Sequence, residues 1–281
     1  MHEISYVDET FDLNFNLEYH LSIQVSLDGF SFCILDTVQK KYVLLRYIPL
    51  TVKRQQFLTE KVREIYESEE ILNKNFKSVA IAYNSQKATV VPSDFADQGK
   101  SKSLFELNQE TERNEEIGSS KIGIFNQEIY FSYPQELRSF FDSKYAEYRL
   151  FHNTYPLLNA AIQQKGKAQK TIVLHFSKKY FQIIEIGEDI RLFNSFFYKT
   201  ETDFLYHTLH ICKNIDFDAE KDELLVSGFV AGDSDYIRQL KKYLIHINIL
   251  KPDQDFHYSY TFEKTPGHYF ADLFNSYKCA L

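Results

Sequence analysis

The first part of the chain alternates apolar and polar residues in short runs. Residues 20–27 alternate as a half-buried strand, Asp28 and Gly29 form a strong hairpin signal, and residues 30–35 return as a second strand. A third strand is predicted over residues 42–48, and residues 52–68 carry apolar side chains at helical spacing. The pattern therefore predicts three strands followed by a helix.

The pattern then becomes less regular. Apolar runs predict strands over residues 78–83 and 88–92. Residues 97–120 are polar and charged, which is typical of an exposed excursion, with a short helix around residues 104–107. Residues 121–131 alternate as a strand or a hairpin.

From residue 171 the opening order returns, after two helices predicted over residues 135–145 and 155–164. The repeated elements are strands over residues 171–176, 180–186 and 190–198, a helix over residues 201–213 and a strand over residues 223–227. The distance from the first strand to the helix is about thirty residues in both halves, which indicates an internal duplication.

The repeated order of elements indicates the fold class. Three antiparallel strands, a helix and a parallel strand predict a mixed sheet covered by helices, which is the ribonuclease H-like core. We predict an α/β protein of two lobes, residues 1–155 and 156–281, each with a mixed five-stranded sheet flanked by helices. A last helix within residues 267–278 is expected to pack back on the first lobe.

Composition narrows the classes of function. The chain of 281 residues is 44% hydrophobic, and its net charge is −7 without a lysine-arginine run, so we expect no direct nucleic-acid partner. No apolar stretch approaches the ~18 residues that cross a bilayer, so we expect a cytoplasmic protein without membrane insertion. The three cysteines are far apart, and His207 and His210 have no further ligand nearby, so no metal site is expected.

The duplicated core resembles the superfamily of actin, hexokinase and the heat-shock chaperones, and within it the actin-like proteins of bacterial cell division and pilus assembly. The resemblance covers residues 21–83 and 171–250. More narrowly, the chain is similar to an uncharacterised bacterial family of unknown function with an actin-like ATPase fold. That similarity depends on chain length, on the run Leu-Asp-Gly-Phe-Ser-Phe at residues 27–32, and on a second hairpin without glycine.

The resemblance implies a role for the first hairpin. In active members, the first hairpin of each half carries an aspartate and, two residues later, a glycine; the turn holds phosphate, and the carboxylates arrange magnesium and water. This pattern places Ser26 at the aspartate and Asp28 at the glycine, unless the register slips and Asp28 with Gly29 serves instead. A type I′ hairpin turn alone also explains both residues.

The second hairpin keeps no carboxylate. His175 and Ser177 are expected at the equivalent positions, and Lys178 and Lys179 lie in the turn. The two lysines are typical of a solvated turn, although two cations beside backbone N–H groups can also hold an anion. His175 lies in an apolar strand, which is typical of a hydrogen-bonded core histidine.

The adenosine-binding turn of the superfamily is rich in glycine, because the base lies against bare backbone. Here Gly228 and Gly232 remain, either as vestiges of that turn or as ordinary loop residues between a strand and a helix. Phe229 and Val230 stand where small residues are wanted, so they either fill the open face or form a surface for a partner.

We therefore expect a non-catalytic actin-like protein, a pseudo-ATPase that acts as an interaction or scaffold module for an unidentified protein partner. No catalytic residue, metal or cofactor is expected. The alternative is a divergent ATPase or phosphotransferase that uses ATP, magnesium and Asp28, and a third possibility is a scaffold that binds the tail of a membrane protein. The vestigial nucleotide-cleft residues under these hypotheses are Asp28, Gly29, Ser177, Lys178, Gly228 and Gly232.

Overall fold

The computed structural model describes residues 2–96 and 98–280, and contains fifteen strands and seven α-helices over those ranges. The strands are β1 Ile4–Val7, β2 Tyr19–Val25, β3 Gly29–Asp36, β4 Lys41–Pro49, β5 Ser78–Tyr83, β6 Ala88–Pro92, β7 Glu115–Ile122, β8 Gln127–Pro134, β9 Arg149–His152, β10 Thr171–Phe176, β11 Tyr180–Ile186, β12 Ile190–Phe197, β13 Glu223–Gly228, β14 Ile247–Ile249 and β15 His257–Tyr258. The helices are α1 Leu58–Ser68, α2 Ser101–Phe105, α3 Gln135–Lys144, α4 Thr154–Gln164, α5 Glu201–Asn214, α6 Asp235–Leu240 and α7 Ala271–Ala280.

The two large sheets share one strand order. The first contains β4-β3-β2-β5-β9 and the second contains β12-β11-β10-β13-β14. Strands β2, β3 and β4 of the first sheet, and β10, β11 and β12 of the second, are antiparallel neighbours. The other two strands of each order, β5 and β9 or β13 and β14, are added in parallel. This is the predicted mixed α/β arrangement.

The first sheet is larger than predicted. It has seven strands, because β1 pairs antiparallel with β4 and β15 pairs in parallel with the start of β4. Both additional strands are short, and both depend on a partner that is distant in sequence. A third sheet, β6-β8-β7, is antiparallel and is inserted between β5 and β9.

The predicted exposed excursion is only partly correct. Its first residue, Asp97, lies outside the described residues, and the helix is α2 at Ser101–Phe105, earlier than expected. Phe105 is fully buried, and β7 already begins at Glu115. The alternation over residues 121–131 belongs to the β7–β8 hairpin.

Helix α7 connects the end of the chain with the first lobe. A 3-10 turn at Gly267–Phe270 precedes it, and α7 packs on β2, β3 and β5 of the first sheet and on α4. Buried side chains on α7 include Leu273 and Phe274, which join Tyr42 and Tyr47 of β4 in one apolar cluster. The division of the chain after residue 155 stays a prediction, and that position falls inside α4.

Two large apolar clusters form most of the core. The larger combines β2, β3, α1, the inserted sheet and α4 with residues of β10, β11 and β13, so it extends across both lobes, and the second fills the space between the second sheet and helices α5 and α6. Helix α5 begins with a capping box between Thr200 and Asp203. No described helix combines the length and the apolar character that crossing a bilayer requires.

Candidate functional site

A cleft of about 310 Å³ lies between the two lobes. Both predicted hairpins line it: Asp28 and Gly29 from the first lobe, and Ser177 and Lys178 from the second. Four of the six predicted site residues are therefore brought together.

The first hairpin is closed by a serine hydroxyl. The Ser26 N–H donates to the Gly29 carbonyl at 2.9 Å, and the Ser26 Oγ accepts from the N–H groups of Asp28 and Gly29 at 3.2 and 3.0 Å. The expected type I′ turn at Asp28 and Gly29 is wrong: strand pairing makes Leu27 and Asp28 the two central residues, and neither has the positive φ that this turn needs. Glycine is needed here for space, since a Cβ on Gly29 would lie 2.6 Å from the Tyr47 ring.

The second hairpin has the same backbone closure. The Ser177 N–H donates to the Tyr180 carbonyl at 2.9 Å. Strand pairing fixes the equivalence: Val25 pairs with Phe30 in the first hairpin, and Phe176 pairs with Phe181 in the second. Ser177 is thus equivalent to Ser26.

The expected correspondence between the hairpins is therefore wrong by two residues. His175 is equivalent to Gln24 and not to Ser26. Both residues lie in a strand, one residue before its end. The sequence alone could not fix this register, because both hairpins contain polar residues at several neighbouring positions.

Two lysines of the second hairpin reach across the cleft to the first. Lys178 Nζ donates to the Asp28 carbonyl at 2.9 Å and lies 5.4 Å from the centre of the Tyr47 ring. Lys179 Nζ lies 3.3 Å from Asp28 Oδ1. The expectation of a solvated turn is wrong for Lys178, whose burial lowers its pKa against the opposing effect of Asp28.

Asp28 does not face bulk solvent. Its side chain is 12% exposed, and the second lobe covers it. The Asp28 carboxylate thus forms an ion pair with Lys179 of the same chain.

A buried polar contact joins both lobes below the hairpins. Asp272, at the start of α7 and 1% exposed, accepts a hydrogen bond from the Gln24 side chain at 2.9 Å. His175 Nε2 lies 3.5 Å from the same carboxylate oxygen, and His175 Nδ1 lies 2.9 Å from Ser227 Oγ. Burial lowers the pKa of His175, and Asp272 opposes this. The expectation of a hydrogen-bonded core histidine is confirmed.

Gly228 and Gly232 do not line the cleft. Gly228 has φ of +80°, and a Cβ there would lie 2.2 Å from the Phe176 carbonyl oxygen, so glycine permits the close approach of β10 and β13. Gly232 is exposed, and its nearest contact is the Ile249 side chain at 3.7 Å.

Phe229 fills the space beside that turn. Its ring contacts Tyr47 and Phe270 at centroid distances of 5.3 and 5.9 Å. Val230 is 4% exposed, and its carbonyl accepts a hydrogen bond from His268 at 2.7 Å. Because Val230 is buried, the expectation that it offers a surface to a partner is wrong.

Sequence reasoning missed three other contacts between the lobes. Tyr180 donates its hydroxyl to Asn84 Oδ1 at 2.6 Å, and the Gln182 amide donates to the Ser85 carbonyl at 3.2 Å. The Gln127 side chain exchanges hydrogen bonds of 2.8 and 3.0 Å with the backbone of Ile190. The available signal was a glutamine inside an apolar strand, since a buried amide requires partners.

Metal ligands do not gather in this cleft. Within residues 2–96 and 98–280, no group of three or more His, Cys, Asp or Glu side chains is placed to hold a metal ion.

The fold is that of actin-like ATPases. A crystal structure from Bacteroides thetaiotaomicron VPI-5482, described as a protein with actin-like ATPase fold and unknown function, is 24% identical. The match has a TM-score of 0.76 and covers 85% of this chain and 93% of that chain. A chain of the PilM–PilN type IV pilus biogenesis complex is 10% identical, with a TM-score of 0.59, and the match covers 94% of this chain and 99% of that chain.

No curated protein sequence matches this chain. The family described as Protein of unknown function (DUF3822) matches residues 8–247.

Proposed function

The chain belongs to this family of proteins of unknown function, and we propose that it is a pseudo-ATPase, a non-catalytic actin-like protein of the bacterial cytoplasm that binds or organises protein partners. The observation that carries the proposal is the direct contact between the hairpins. Lys178 and Lys179 cross the cleft to the backbone and the carboxylate of Asp28. A phosphate held between these turns would have to displace both contacts.

The first hairpin supports the proposal independently. In an active member of the superfamily, the N–H groups of this turn receive phosphate oxygens. Here the Ser26 hydroxyl already accepts from the N–H groups of Asp28 and Gly29. Two N–H groups of the turn are therefore already satisfied within it.

The chemistry of the side chains also disfavours a magnesium nucleotide. Magnesium prefers carboxylate and water oxygens. The two carboxylates that line the cleft are each beside a lysine: Asp28 Oδ1 is 3.3 Å from Lys179 and Glu115 is 3.1 Å from Lys87. The second hairpin contributes ammonium groups and no carboxylate. These residues do not fit the ion, so we derive no catalytic step through it.

The multiple contacts between lobes favour a fixed body over a moving enzyme. Enzymes that close around a substrate need lobes that can separate. In this chain Asp272, Tyr180 and Gln182 join elements of the two lobes by hydrogen bonds or close polar contacts. A rigid two-lobed body suits a scaffold or an interaction module.

A phosphate-release assay with magnesium and ATP tests the proposal. We expect wild-type protein and Asp28→Asn to give the same background rate. Turnover by the wild type that Asp28→Asn abolishes would refute the proposal and favour the divergent ATPase or phosphotransferase.

Crosslinking in cells tests the second half of the proposal. We expect a defined protein partner that is recovered again by the reciprocal experiment. One protein of this fold is a chain of a pilus biogenesis complex, so recovered partners should be sorted into membrane proteins and others. Recovery of no reproducible partner would contradict the scaffold role.

A further inference from the structure

The cleft is more basic than the protein around it. The chain has a net charge of −7, yet the charged residues that line the cleft are Lys53, Lys87, Lys178, Lys179, Asp28 and Glu115. Lys87 and Lys179 are beside the two carboxylates. Two positive charges, those of Lys53 and Lys178, have no ion-pair partner within the described part of the chain.

The two hairpins differ in how their turns are satisfied. Ser26 closes the first turn with its own hydroxyl. The equivalent Ser177 does not, because its hydroxyl forms no hydrogen bond of ordinary geometry with the described residues, although it lies close to the Tyr180 hydroxyl. The second turn carries both lysines and has a serine hydroxyl that does not close the turn. It is therefore the turn that can still bind an anion.

A buried hydroxyl on the opposite wall also lacks a partner. Ser132 of β8 lines the cleft and is 1% exposed, and its Oγ forms no hydrogen bond with any described residue. The Ser85 hydroxyl, also in the cleft wall, likewise forms no hydrogen bond with any described residue. Buried polar groups are nearly always paired, so unpaired hydroxyls in a cavity wall point to a partner that enters the cavity.

Aromatic side chains also line the cleft. Tyr47, Tyr83 and Phe229 line the same cleft. Its volume of about 310 Å³ lies at the small end of ligand pockets, which span roughly 300–1,000 Å³. The space suits a metabolite with a flat apolar part.

We propose that this cleft binds a small organic anion without a metal ion, through a carboxylate or phosphate group placed at Lys178 and the second hairpin. The ligand would take over the Lys178 ammonium from the Asp28 carbonyl, and Lys53 would balance a second negative charge. This inference rests on the proposed pseudo-ATPase, since it assigns the cleft to a ligand other than a magnesium nucleotide.

Calorimetric titration of the full chain, in buffer freed of metal ions by a chelating resin, tests this, with benzoate and phenyl phosphate as probes and neutral benzamide as the matched control. We expect at least one anion to bind saturably and benzamide not to bind. Benzoate alone would identify a carboxylate site, and phenyl phosphate alone a phosphate site.

Variants then locate the site. A hydrogen bond to a charged group is worth enough that Lys178→Gln should weaken binding by about tenfold or more. Lys241→Gln, an exposed lysine outside the cleft, should leave affinity unchanged. Lys53→Gln, at the rim, should weaken phenyl phosphate more than benzoate.

Two results would overturn the inference: no saturable binding of either anion, or binding that Lys178→Gln and Lys53→Gln leave unchanged. Neither result affects the proposed pseudo-ATPase. Conversely, ATP turnover that depends on magnesium would refute the pseudo-ATPase whatever the simple anions do.

Discussion

Gln24 and His175 occupy equivalent positions in the two lobes, and both meet the carboxylate of Asp272, at 2.9 and 3.5 Å. Because Asp272 belongs to α7, the end of the chain joins the centres of both sheets. We interpret this as a fixed connection between the lobes at a depth just below the hairpins.

The first prediction concerns this connection. Asp272→Ala leaves two buried polar side chains without their acceptor, so the free energy of unfolding should fall by about 2–4 kcal/mol. Urea unfolding measures it. Asp255→Ala is the control, because that exposed carboxylate only pairs with Lys278 at the surface, and its loss should change little. Equal stability of Asp272→Ala and wild type would contradict the connection.

The second prediction is that Gly228 and Gly232, the two glycines expected in the adenosine-binding turn, differ in their importance for stability. Gly228→Ala should lower the free energy of unfolding by about 2 kcal/mol or more, because its φ of +80° and the Phe176 carbonyl leave no room for a Cβ. Gly232→Ala should have little effect, since its Cβ would make only ordinary contacts. Thermal unfolding of both variants tests this, and a similar midpoint for the two would refute the assignment.

The third prediction compares the equivalent serines. Ser26→Ala removes the acceptor of two backbone N–H groups and should cost about 1–2 kcal/mol of unfolding free energy. Ser177→Ala should cost less, because that hydroxyl accepts no backbone N–H. The reverse order in chemical denaturation would show that the turns are not closed as described.

The fourth prediction concerns pH. Burial lowers the pKa of His20 to about 3 and that of His152 to about 4. The unfolded chain therefore takes up protons below pH of about 6.5 that the folded chain refuses. The contribution of the two neutral histidines to the free energy of unfolding is complete above that pH. It should fall as pH drops toward 4, by about 1.4 kcal/mol per pH unit for each histidine.

Urea unfolding at pH 7, 6 and 5 measures this slope. His152→Gln should reduce it by about one histidine's share, because glutamine does not titrate. His175 and His268, whose pKa values burial also lowers, act in the same direction. Stability that is constant from pH 7 to pH 5 would contradict the neutral buried histidines.

Local patterns were enough to predict most of the fold. Strands β5, β6, β10 and β11 have the predicted bounds, because each is a short apolar run between clear turns. The strands that were missed have two to four residues and lie at the edges of their sheets: β1, β9, β14 and β15. Their hydrogen bonds come from partners distant in sequence, so they leave no local signal.

The site was predicted less completely. The hairpin residues Asp28 and Lys178 were located because turns are local. Their contact across 150 positions was not, and neither was Asp272, which is 248 positions from Gln24. Nothing in an isolated segment indicates which buried amide will meet which carboxylate.

The most direct test of the pseudo-ATPase is a thermal-shift titration with ATP and ADP, with and without magnesium. A ligand at a hundred times its dissociation constant stabilises a protein by about 2.7 kcal/mol, which moves the midpoint by several degrees. With nucleotide at millimolar concentration, we expect no magnesium-dependent rise in the unfolding midpoint. The lysines of the second hairpin already bind Asp28 of the first. A rise that requires magnesium and disappears in Asp28→Ala would contradict the account and restore the enzyme hypothesis.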